Sequence, residues 1–179
     1  MAIRYLGILF CFALTGSIWS QEEGGQSLPR TYREFALGMS LENLKEALKK
    51  DDLFHFRGDR DVSFLPAKEQ NLVETTGLSF IKRAFFQLQS DHMFVMAFTL
   101  NTALIDYYSV FTAFVKKYGE PKILDPKQAV WETGETRVAI ERPLTIKYLD
   151  MTVFNELNNT SQAAESQELR MREDFLHEF

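Results

Sequence analysis

The chain has 179 residues, of which 45% are hydrophobic and 25% charged, which suits one folded domain and excludes a disordered or fibrous polymer. Its net charge is −5, and its two lysine pairs, Lys49-Lys50 and Lys116-Lys117, each close an expected helix rather than forming a basic stripe, so no nucleic-acid partner is expected. Sixteen phenylalanines, six tyrosines and two tryptophans call for thick apolar contacts between a sheet and helices, with aromatic surface left over for a cleft or a partner.

Residues 1–20 read as a secretory signal. Arg4 is the basic start, Tyr5 to Leu14 an uncharged run, and Thr15-Gly16-Ser17-Ile18-Trp19-Ser20 a stretch of small residues for cleavage after Ser17 or Ser20. The uncharged stretch from Tyr5 to Trp19 is shorter than the ~20 residues that cross a bilayer, and no transmembrane span is expected in the mature chain. Cys11, the one cysteine, lies inside this segment behind Phe10, where a lipoprotein box would place small residues. Its removal excludes disulfides and thiolate metal sites, and a disulfide-free exported domain points to the bacterial periplasm or secretion from a bacterium. Removing Arg4 leaves 19 basic against 25 acidic residues, a net charge of −6.

Residues 21–30 are polar and glycine-containing, a flexible lead-in to a single domain over 31–156. Tyr32 to Leu37 alternates as an edge strand stopped by Gly38. Ser40 then caps a helix carrying Leu41, Leu44 and Leu48 and ending at Lys49-Lys50. After a polar connection over 51–61, strands are expected at Val62–Leu65 and Leu72–Thr75. A hairpin follows, Phe80–Leu88 and Met93–Leu100 around Ser90-Asp91-His92. In it Ala84, Phe86 and Leu88 share a face with Phe94, Met96, Phe98 and Leu100. The other face of the second strand is apolar too, as befits a central strand covered on both sides. Leu104, Tyr108, Phe111, Val115 and Tyr118 form the stripe of a second helix, with Gly119 as a left-handed C-cap and Pro121 beyond it. Strands at Ala129–Glu132, Thr136–Glu141 and Leu144–Val153 complete the domain, and 157–179 forms a helical or frayed tail. The expected fold is α+β: two consecutive helix-then-antiparallel-strands units, roughly 38–101 and 102–156, forming a sheet packed by helices, plus the C-terminal helical tail.

Gly38-Met39-Ser40 followed by Leu44 and Leu48 resembles the start of small envelope domains of the SmpA/OmlA outer-membrane assembly lipoprotein type. Tyr118-Gly119-Glu120-Pro121 and Trp131 resemble the second half of that motif, but they follow the second helix and not the first. The two-unit arrangement is also similar to the tandem domains of β-lactamase inhibitory proteins. Both likenesses imply protein binding without catalysis, and neither transfers a specific binding residue.

No nucleophile elbow, phosphate-binding loop or dinucleotide fingerprint occurs, and His55, His92 and His177 lack the spacing of a helical metal site. No catalytic residue, metal or cofactor is therefore expected. Arg57-Gly58-Asp59 matches the tripeptide of integrin ligands and equally a polar turn. Phe85 and Phe114 fall off the main apolar stripes, and Leu169, Leu176 and Phe179 could stripe the tail. Together with Trp131 these are the expected partner or ligand contacts. The sequence thus points to an exported periplasmic interaction or envelope-assembly module whose partner is another envelope protein. The alternative is a carrier of a lipid or peptide in a Phe-lined cleft, and a hydrolase ranks third.

Overall fold

The computed structural model describes residues 27–64 and 69–177. Residues 1–20, expected as an export signal, and residues 21–26 of the expected lead-in lie outside the described residues.

Ser40 caps the first helix, α1 (Leu41–Lys50), its hydroxyl accepting from the Asn43 N–H at 3.3 Å, and buries Leu44 and Leu48. Before it, the segment expected as one edge strand folds on itself as a two-residue hairpin, β1 (Thr31–Tyr32) and β2 (Phe35–Ala36), apart from the main sheet.

Nine strands then form one antiparallel sheet: β3 (Phe54–His55), β4 (Val62–Phe64), β5 (Gln70–Gly77), β6 (Ile81–Gln89), β7 (His92–Leu100), β8 (Ile123–Leu124), β9 (Gln128–Glu132), β10 (Thr136–Glu141) and β11 (Thr145–Asp150). The spatial order is β3-β5-β6-β7-β11-β10-β9-β8, with β4 also paired to β5. The remaining helices are α2 (Tyr107–Tyr118) and α3 (Met151–His177).

This arrangement corrects the expectation of two consecutive helix-then-strands units. The sheet dominates, and its two halves are joined strand to strand, β7 to β11, rather than built as separate helix-backed modules. The cause lies in β7 itself. Its alternate residues are apolar on both faces, so it is satisfied only as a central strand hydrogen-bonded on both sides, and β6 and β11 supply those neighbours.

Register divides the sheet's side chains cleanly. On the front face Val73, Phe86, Met96, Tyr148, Val138 and Trp131 form a row across six strands, beside a second row of Thr75, Ala84, Phe98, Ile146, Ile140 and Ala129. The N-terminal segment, α1 and α2 all pack on these rows. Phenylalanine rings fill the space: Phe35 to Phe86 at 5.2 Å, Phe35 to Phe54 at 5.4 Å and Phe86 to Phe98 at 5.8 Å between centroids.

Two local phases differ from those the spacing predicts. In the β6–β7 hairpin a bulge sets Gln87 opposite Val95 but Leu88 opposite Met93, leaving Phe94 unmatched. Phe94 therefore turns to the back face, and Met93 joins the front core. In α2, Asp106 accepts the Ser109 N–H at 2.9 Å and starts the helix at Tyr107, so Leu104 precedes it and Tyr108 points outward, 74% exposed. The face that packs carries Tyr107, Val110, Phe111, Phe114, Val115 and Tyr118.

The third helix begins at Met151, directly after β11, where a longer strand and a tail from 157 were expected. Asp150 causes the switch: its Oδ1 accepts the N–H groups of Thr152 at 2.9 Å and Val153 at 3.3 Å. No helix among the described residues is long and apolar enough to cross a membrane.

Candidate functional site

The front face is closed by two helices, whereas the back face is covered only in part. Its rows in register are Leu72, Gln87, Val95, Leu149, Arg137, Glu132 and then Glu74, Phe85, Ala97, Lys147, Ala139, Val130. The first turns of α3 lie over one part of these rows, where Met151, Val153, Phe154 and Leu157 meet Phe94, Val95 and Leu149. Between helix and sheet runs a groove of about 460 Å³, within the size range of small-molecule and peptide sites.

Phe94, Phe154 and Leu157 give the groove an apolar side, and its sheet floor is mixed, with apolar Val95, Ala139 and Leu149 among polar Gln70, Gln87, Gln128, Arg137, Glu141 and Lys147. Lys147 on β11 donates to both oxygens of Glu141 on the neighbouring β10 at 2.7 and 2.9 Å. Arg137 holds Glu132, which also takes Lys122 at 2.9 Å, and these two cations keep the Glu132 carboxyl below the usual glutamate range. The cationic partners thus arrive already neutralised, and the amides offer paired donors and acceptors. Such a floor suits polar, largely uncharged groups such as a peptide backbone, set beside an apolar side chain.

Beyond Ser161, α3 leaves the groove. At about 100° per residue, Ala164, Leu169, Phe175 and Leu176 fall on the same half of the helix as Phe154 and Leu157. On this outer part Leu169 is 54% and Leu176 60% exposed.

The residues expected as contacts scatter over these surfaces. Phe85 is half-buried on the back face with the Arg83 guanidinium 5.8 Å from its ring centroid. Phe114 and Trp131 come together on the front face, centroids 5.5 Å apart, with Trp131 buried and its Nε1 donating to the Gly119 carbonyl at 2.8 Å. Leu169 and Leu176 lie on the outer part of α3, and Phe179 lies outside the described residues. The groove's Arg137 and Lys147 were not singled out by the sequence reading. Their signal was the alternation of charged residues with Val138, Ile140 and Tyr148 on β10 and β11, which marks a polar back face.

The Arg57-Gly58-Asp59 tripeptide does not offer its charges together. Arg57 folds back on Asp61 through Nε and Nη2 at 2.8 and 2.6 Å, and Asp59 pairs with Lys45 at 2.7 Å.

The family model of the TP0088 domain matches residues 30–160, well over half of the chain, and the chain belongs to that family. The match begins at Arg30 and takes in every groove residue except Ser161. No curated protein and no solved structure matches the chain.

Proposed function

We propose that this TP0088-domain chain is an exported, non-catalytic binding module of the bacterial envelope. It takes a segment of another envelope protein into the groove between the back face and α3. The observation that carries the reading is the asymmetry of the sheet. One face is sealed by α1, α2 and the N-terminal segment, while the other keeps an amphipathic groove under a helix that projects past it with apolar side chains exposed. Export rests on the signal-like residues 1–20.

A photo-crosslinking amino acid at Gln87 or Asn158, on opposite sides of the groove, tests this in the native envelope. One protein adduct common to both positions and absent from a probe at Tyr108, on the exposed side of α2, is the expected result. Adducts from Tyr108 alone, or none, would sink the reading. The second reading, a carrier, draws support from the same groove because Phe94, Leu149, Phe154 and Leu157 would also line an acyl chain. Native mass spectrometry of the protein taken from its envelope separates the two, since a carrier retains a lipid mass and an interaction module does not.

A further inference from the structure

The sheet has a second recess, away from the groove, at its outer edge. The strand beside β5 is interrupted. β3 pairs with Gly77 and Thr76, β4 pairs with Val73 to Asn71, and Glu74 and Thr75 have no strand partner on that side. The 3-10 turn Gly58–Asp61 occupies the gap and, with β5 and β6, walls a recess of about 270 Å³. Three guanidinium groups line it: Arg57 just before the turn, Arg60 within it, and Arg83, whose partner in register on β5 is Thr76. The hydroxyl residues Ser63 and Thr76 line it too.

The charges do not cancel. Asp61 is consumed by Arg57, taking Nε and Nη2 on one oxygen and the Arg57 N–H at 2.9 Å on the other, and its side chain is 1% exposed. Glu74 holds Arg83 by a single 3.2 Å contact between half-exposed groups. Asp59 faces away to Lys45. Arg60 has no ion pair among the described residues. Three cations against two carboxylates leave an excess positive charge in a chain whose net charge is −5.

We propose that this recess binds a phosphate group. Guanidinium forks match phosphate oxygens two at a time, and short hydroxyls complete the shell. Arg60 supplies a fork with no ion-pair partner among the described residues, Arg57 keeps Nη1 available while Asp61 fixes its orientation, and Arg83 exchanges Glu74 for the incoming anion. The recess is smaller than the roughly 300–1,000 Å³ of drug-sized pockets, so it takes a headgroup-sized anion with the rest of the ligand lying outside. The phosphate belongs either to a soluble phosphorylated compound or to a lipid headgroup.

Titration calorimetry with inorganic phosphate, against sodium chloride at equal ionic strength, tests the site on the intact protein. Saturable binding is expected, weakened roughly tenfold or more by Arg60→Ala, because one charge-assisted contact pair is lost. Arg60 is exposed and has no ion pair among the described residues, so this variant is expected to fold. Glu74→Gln removes the competing carboxylate and should tighten phosphate binding, an effect that a mere folding defect would not produce. Phosphatidylcholine vesicles with and without phosphatidic acid then locate the source. Flotation with the phosphatidic acid vesicles assigns a lipid headgroup, and phosphate binding without flotation assigns a soluble ligand. Absence of saturable phosphate binding, or binding unchanged in Arg60→Ala and Glu74→Gln, overturns the proposal.

Discussion

The Arg30 guanidinium grips Asp150 Oδ2, while Oδ1 of the same carboxylate caps the first turn of α3. One carboxylate thus ties the segment just before β1 to the point where the last sheet strand becomes a helix. Arg30 also reaches the Thr136 hydroxyl at 3.2 Å, so the bridge spans the N-terminal segment, β10 and the β11–α3 junction. Asp150→Ala is expected to cost about 2–3 kcal/mol, from loss of a helix cap and of a largely covered charge pair. Urea unfolding measures the loss. Hydrogen exchange should place it locally, with amides of 151–157 exchanging faster and those of α1 unchanged. Uniform acceleration across the chain would mean that the bridge does not act on α3 in particular.

The phase of α2 makes a paired prediction. Phe114 packs between Tyr118 and Trp131, at 5.4 and 5.5 Å, whereas Tyr108 is 74% exposed. Phe114→Ala should destabilise by about 2 kcal/mol, below the 3–5 typical of a fully buried phenylalanine because the ring is half-covered. Tyr108→Ala should change stability by less than about 0.5 kcal/mol. Equal losses in chemical unfolding would restore the stripe that runs through Tyr108.

These contrasts show how far the sequence could be read. The cap at Ser40, the leucine spacing of α1 and the two-sided apolar character of β7 were legible, because each depends on local chemistry. The phase of α2 was not. Tyr107 and Tyr108 are equivalent by composition, and only the Asp106 cap and the contacts to Trp131 choose between them. The two-residue strands β3 and β8 are too short to carry an alternation and exist because β5 and β9 present edges to them. The groove was hidden for a related reason. It depends on α3 folding back over the sheet from Asp150, and the same alternating residues would have suited a longer strand.

Gly119 ends α2 with φ 76° and ψ −167°, away from the left-handed helical region expected of its cap and in a region open essentially to glycine alone. A Cβ added there would meet nothing within 4 Å, so any cost of substitution is conformational rather than steric crowding by neighbours. Gly119→Ala and Gly119→Asn should both lose about 1–3 kcal/mol. Asparagine is the informative case, because a left-handed helical cap tolerates it well. Near-native stability of the asparagine variant in thermal unfolding would show that the backbone relaxes to that cap.

Burial raises the phenol of Tyr148 well above its ordinary value of 10.0, with Tyr118 and Tyr32 nearby adding to the shift. Burial raises Tyr32 and Tyr107 as well. The folded state therefore holds these protons where the unfolded chain releases them. The sign follows directly. Below pH 10 the phenols are protonated in both states and stability is unaffected, but above it the unfolded state gains from ionising and stability falls as the pH rises. Tyr148→Phe removes the most strongly shifted phenol, so its stability should fall less steeply above pH 10 than that of the native chain. Urea unfolding at a series of alkaline pH values reads this slope, and tyrosinate absorbance should show Tyr148 ionising only as the protein unfolds. A variant curve parallel to the native one would mean that the Tyr148 hydroxyl reaches solvent in the folded state.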